Sequence, residues 1–183
     1  MQRFCQNNPK WKNLKLGNST TSVGNAGCLL CSLLSVESKF HPYQHDTVEK
    51  AVKDWVFVKC GDDPEPHYID WTHTKFKNME FVWRQYAYLP NMIINDPLTN
   101  TADTQENILK KYSMFPDLGA VIQVMTKKGG VHWLALVGKS IWNWAAIDPW
   151  DGKMLWSSVG LLGKYPKLLG FALLKKKDLI PNT

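Results

Sequence analysis

Four apolar segments crowd the C-terminal half, and they restrict the fold more than any other feature. "GAVIQVMTK", "VHWLALVGK", "IWNWAAID" and "LLGFALLKK" are rich in branched and aromatic residues, with Gly, Lys-Ser and Asp-Gly turn signals between them. Short turns join antiparallel neighbours, so the spacing predicts a β-meander. Its apolar face must be covered, and the N-terminal half supplies the cover. Leu29, Leu30, Leu33, Leu34 and Val36 recur at three- and four-residue spacing, which predicts a buried helix from Ala26 to about Glu37. "HDTVEKAVKDW" reads as a second, amphipathic helix with Asp46 as N-cap. "TADTQENILKKYSMF" reads as a third, capped by Thr101 or Asp103 and ended near Pro116. Residues 5–25 are polar and read as an extended loop. Residues 59–100 are the least legible: "KCGDDPEPHYID" is a loop, and "FVWRQYAYL" fits strand or helix. The pattern is α+β, with helices packed on one antiparallel sheet.

At 183 residues the chain is long enough to bury a real core, and residues 1–183 read as one domain. Nowhere do some eighteen apolar residues run together, so no transmembrane helix is expected. "MQRFCQNNPKWKN" contains no stretch like the apolar part of a signal peptide. Four cysteines (Cys5, Cys28, Cys31 and Cys60) are too few for a secreted disulfide framework, so the thiols read as reduced and the location as cytoplasmic or virion-associated. The net charge of +6 suits an anionic partner such as nucleic acid, cell wall or a membrane surface. Its basic clusters, "KKYS", "TKKGG" and "LLKKKDL", are scattered and read as solvated surface. Of the nine tryptophans most are expected in the core and some along a groove, since aromatic rings with a polar tip favour binding surfaces.

"GNAGCLLCSLLS", residues 24–35, sets two cysteines at the mouth of the first helix. A thiol nucleophile needs a lowered pKa, a base, and a group that holds the base. Unpaired N–H groups and the dipole at a helix N-terminus meet part of the first requirement. Cys28 lies where the helix begins; Cys31 lies on its first buried turn and reads as core. His132 in "GGVHWLALVG" opens a strand after a glycine turn, and sixteen residues on, Asp148 ends the next strand in "AAIDPW". Adjacent antiparallel strands bring such residues side by side, so the carboxylate can orient the imidazole.

Two blocks, "CQNNPKWKNLKLGNSTTSVGNAGCLLCSLLS" and "GGVHWLALVGKSIWNWAAIDPWDG", together resemble papain-like cysteine peptidases related to the bacteriocin-processing family. That family shows a Gln, a Trp a few residues later, a Gly/Ser/Thr-rich loop, and Gly-Cys opening the central helix. Its second block has Gly-His-Trp, a hydrophobic strand, then Asp-Pro and a turn glycine. The blocks cover about 55 of the 183 residues, and the middle of the chain carries no resemblance. The resemblance implies a papain-like fold with Cys28 as nucleophile, His132 as general base and Asp148 as its orienter. It implies Gln6 as side-chain donor to an oxyanion hole completed by the Cys28 N–H. The implied activity is hydrolysis of a peptide or related amide through an acyl-enzyme, without cofactor or metal, on a peptide, protein or peptidoglycan substrate. The loop from Gln6 to Cys28 spans 22 positions, longer than in the shortest family members, and Gln2 lies outside the block.

Competing readings attach to the same residues. Cys28 and Cys31 have the local spacing of half a zinc site, but only Cys60 with His67 or His73 offers a complement. Asp151 rivals Asp148, yet "WDGK" has the form of a hairpin turn, where Asp-Gly serves the backbone. His41, His45, His67 and His73 have no partner pattern and read as surface. Three other functions stand beside the peptidase: a cell-wall amidase or endopeptidase, a catalytically silent papain-like protein of a phage or bacterium, and a nucleic-acid-binding module.

Overall fold

The computed structural model describes residues 1–41, 47–140, 143–156, 161 and 163–177. In strand β6 (Leu118–Met125) Gly119 to Ile122 are all buried, and in β10 (Lys167–Lys176) so are Gly170 to Leu174. Consecutive buried residues point to both faces of a sheet, so both strands need cover on both sides and belong in its interior. They sit there side by side. The six-stranded antiparallel sheet has the order β3 (Met79–Gln85), β10, β6, β7 (Val131–Ser140), β8 (Asn143–Ile147) and β9 (Met154–Leu155).

The C-terminal segments are thus a meander only from β6 to β9. β10 does not continue past β9 but returns to pair with β6, where its apolar run is covered on both faces. The ambiguous "FVWRQYAYL" is strand as far as Gln85 and forms the sheet's edge beside β10.

Each face of the sheet carries its own core. On one, Val121, Trp133, Ala135, Ile147, Ala172 and Leu174 pack against helix α2 (Cys28–Glu37) and helix α3 (Thr47–Asp54). On the other, residues of opposite parity, among them Ile122, Leu134, Leu136, Phe171 and Leu173, pack against Ile108, Leu109 and Tyr112 of helix α4 (Gln105–Met114). Period-two alternation in the strands sorts the two sets. α2 lies hard on the sheet: a Cβ on Gly119 would meet Val36 Cγ1 at 2.3 Å, and Ser32 Oγ donates to Trp133 O at 3.0 Å.

Helix α4 begins later than its sequence suggests. Ala102–Thr104 form strand β5, paired with β4 (Ile93–Asn95), so neither Thr101 nor Asp103 is the cap. Thr104 is: its hydroxyl accepts from Asn107 N–H at 3.2 Å. The proposed cap of α3, Asp46, lies outside the described residues. A two-residue pair, β1 (Phe57–Val58) with β2 (Tyr68–Ile69), brackets the loop between residues 59 and 67. Among the described residues no helix is long and apolar enough to cross a membrane.

Candidate active site

A short helix, α1 (Val23–Ala26), leads into α2 through a single residue, Gly27. Gly27 N–H donates to Val23 O at 2.7 Å and closes the first turn. Its carbonyl accepts from Cys31 N–H at 2.9 Å and opens the second. A Cβ on Gly27 would lie 2.4 Å from Val23 O, so only glycine fits. Because Cys31 is the first residue to bond back into α2, the N–H groups of Cys28, Leu29 and Leu30 have no acceptor within the helix. Cys28 is the first residue of α2 and half-buried, so its thiol sits at the positive end of the helix dipole. Cys31 is fully buried; burial, with the nearby thiols of Cys28 and Cys5, pushes its pKa well above the usual value.

The imidazole comes from the second residue of β7. Ala135 pairs with Ile147, and continuing that register sets Leu134 opposite Asp148. His132 is then the diagonal neighbour of Asp148 on the same face, within reach of a ring. His132 Nε2 and Asp148 Oδ1 are 2.9 Å apart, with the side chains 9% and 0% exposed. The Cys28 thiol opens on the same cleft as this ring and lies near enough to act on its charge. Since Nε2 is held by the carboxylate, the nitrogen left for sulfur is Nδ1.

Burial of the ring opposes its charged form, but the bond to Asp148, the neighbouring Cys28 thiol and the charges of both outweigh it and raise the His132 pKa to about 9. Burial likewise opposes the Asp148 carboxylate. Its bonds prevail and hold it well below the usual carboxylate range. Oδ1 also accepts from Trp150 N–H at 2.9 Å; Oδ2 accepts from Tyr165 Oη at 2.6 Å and from Lys164 Nζ. With these contacts and His132, the carboxylate is an anchored anion, suited to hold a ring rather than to take a proton.

Gln6 arrives from the far end of the chain. Residues 5–7 strap onto the segment after β8: Gln6 N–H donates to Pro149 O at 2.7 Å, and Asn7 Nδ2 to Trp150 O at 2.9 Å. Trp11 Nε1 donates to Cys5 O at 2.7 Å and its ring packs on Phe4, which steadies the strap. The Gln6 side chain is buried and opens on the same cleft as Cys28 and His132. One Nε2 proton goes to Gly24 O at 2.9 Å, leaving a second for the cleft, and Oε1 is buried without a partner.

These residues line a cleft of about 1210 Å³ together with Trp71, Trp133 and Trp150. Gln6, Cys28, His132 and Asp148 are brought together from four separate stretches. Asp151 is not among them: it lies in the turn of "WDGK", pairs with Lys153, and precedes Gly152 at φ +70°. Cys31 points into the core, and no group of three metal-ligating side chains gathers among the described residues. His41 is exposed and His45 lies outside the described residues. His67 departs from its surface reading, because its ring stacks on Tyr68 at 4.4 Å and lines the cleft. His73 is exposed but pairs with Asp70 at 2.8 Å. The lysines of "TKKGG" are exposed, as expected, and stand where the cleft opens to solvent.

Sequence reading missed Lys164 and Tyr165, which secure Asp148, while the Tyr165 ring stacks on His132 at 5.5 Å. "GKYPK" offers no pattern that would single them out. No protein-family model matches the chain, and neither a curated protein nor a solved structure is significantly similar to it.

Proposed function

We propose that this protein is a papain-like thiol hydrolase that cleaves a peptide or related amide bond through an acyl-enzyme. One observation carries the reading: His132 is bonded to a buried carboxylate through Nε2 and shares its cleft with a nearby cysteine at a helix N-terminus. A thiol gains nucleophilicity from that placement, and an imidazole held in one orientation can shuttle its proton.

The steps follow from the atoms. The Cys28 sulfur, its proton on His132 Nδ1, attacks the substrate carbonyl carbon and forms the C–S bond. Negative charge collects on the carbonyl oxygen, where Cys28 N–H and the second Gln6 Nε2 proton can receive it. The C–N bond breaks as Nδ1 gives its proton to the departing amine. Water then loses a proton to Nδ1 and attacks the thioester; the C–S bond breaks, and the acid product leaves with the thiolate restored. Asp148 keeps Nε2–H engaged throughout and favours the imidazolium.

The test is turnover of a quenched fluorescent peptide pool, with peptidoglycan sacculi in a parallel reaction. Cleavage should vanish in Cys28→Ala and fall about 10²–10³-fold in Gln6→Ala with folding intact. Full turnover in Cys28→Ala would overturn the reading. Cleavage of sacculi but not peptides would move the substrate to the cell wall.

A further inference from the structure

One arm of the cleft holds a cation that the proposed chemistry does not use. Arg84 on β3 stands opposite Ala172 of β10, on the sheet face that also carries Trp133. Its guanidinium carbon lies 4.4 Å from the Tyr86 ring centroid, 5.2 Å from that of Trp133 and 5.8 Å from that of Trp71. Three rings therefore hold it in place without cancelling its charge. Among the described residues no carboxylate pairs with it; the groups that favour its charge are the Tyr86 phenol and the Cys60 thiol, and Nε is buried without an acceptor. A half-buried guanidinium is ordinarily neutralised by an acid or satisfied by carbonyls, because leaving it unpaired is costly.

Its surroundings repeat the charge imbalance. Among the described residues the cleft is lined by Lys59, Arg84, Lys127, Lys128 and Lys164 against a single carboxylate, Asp70. Lys164 is engaged by Asp148, and Asp70 is occupied by His73 and Thr72. Trp133 and His132 are consecutive residues of β7, and both line the cleft that Arg84 enters.

We infer that Arg84, seated among Trp71, Tyr86 and Trp133, is a specificity site that binds a carboxylate of the substrate. The planar N–H fork pairs with a carboxylate through two parallel bonds, and the rings present it ready-oriented. The carboxylate comes from an acidic side chain or from a free peptide C-terminus. This inference rests on the peptidase reading for its substrate class, but its binding arm is independent of cleavage.

The experiment uses the full chain and synthetic peptides differing only in Glu against Gln at each position, all acetylated and amidated. A second set compares free with amidated C-termini in neutral peptides. Wild-type protein should cleave one charged form about tenfold or more better than its neutral counterpart, as expected for a charge-assisted pair. The set that shows the preference names the source. Arg84→Gln should bring the charged-to-neutral ratio toward one, and Arg84→Lys should restore only part of it, since lysine lacks the fork. The peptide comparison in wild-type protein needs no variant, so misfolding of Arg84→Gln would not obscure the result. If no peptide is cleaved, the peptidase reading fails by itself. Binding to Cys28→Ala, followed by quenching of tryptophan fluorescence, then decides the inference. Preferential binding of the charged peptides sustains it; equal binding, or none, overturns it. Cleavage with charged and neutral forms equal overturns it while leaving the peptidase reading in place.

Discussion

At the residue scale, the two cysteines of one helix have opposite environments. Three residues along a helix is about 300° of rotation and about 4.5 Å of rise, enough to take a side chain from cleft to core. Cys28 opens on the cleft at the helix N-terminus, whereas Cys31 is sealed among apolar residues with its pKa raised. Iodoacetamide at neutral pH should therefore label Cys28 in the folded protein and reach Cys31 only after unfolding. Mass spectrometry of the native adduct checks this, and label on Cys31 with Cys28 untouched would assign the chemistry to the wrong thiol. Asp148 offers a second test. Asp148→Asn removes the charge that His132, Lys164 and Tyr165 all face. Turnover should drop by about 10⁴, as when a triad carboxylate becomes an amide, with the alkaline limb of kcat/KM moving down from about pH 9. An unchanged profile would show that the carboxylate does not act through the ring.

At the scale of elements, the join between α1 and α2 sets the position of Cys28. Gly27 serves both helices, and the space where a Cβ would go is filled by Val23 O and its side chain. Gly27→Ala must push the two helices apart or turn α2, costing about 1–3 kcal/mol as overpacking does. Urea unfolding should register that loss, and the displaced thiol should label more slowly. A stability equal to wild type would mean the join absorbs a methyl group. β7 positions His132 in the same rigid manner, since Ser32 of α2 bonds the Trp133 carbonyl and ties the helix to the strand.

Across the whole molecule, titration of the site couples to folding. His132 has a folded pKa of about 9, above the ordinary 6.5, so its contribution is complete below about pH 6.5 and is lost as pH rises through 9. Asp148 is held below its ordinary 3.8, so its contribution is present above about pH 4 and fades as pH falls through the depressed folded value. Buried Cys31, which must stay neutral, extends the alkaline decline above its ordinary 9.0. Thermal melts should show greatest stability between about pH 4 and 6.5, with Tm falling toward pH 9. In His132→Gln the decline between pH 6.5 and 9 should flatten; a slope identical to wild type would locate it elsewhere.

Local chemistry and periodicity were enough to read α2, the strands β6 to β8, and Cys28, His132 and Asp148 as residues worth joining. A helix start, a glycine turn and a strand end are each written within a few neighbouring residues. Gln6 was reachable only through resemblance, because nothing local says that residues 5–7 strap onto Pro149 and Trp150. The place of β10 between β3 and β6 was decided by tertiary burial: its unbroken apolar run needs cover on both faces, and only the sheet interior supplies it. Strand pairing outside the meander, the Lys164 and Tyr165 contacts with Asp148, and the cage around Arg84 join residues from distant stretches of chain. Such contacts arise from the packing of whole elements, whose geometry short-range patterns do not encode.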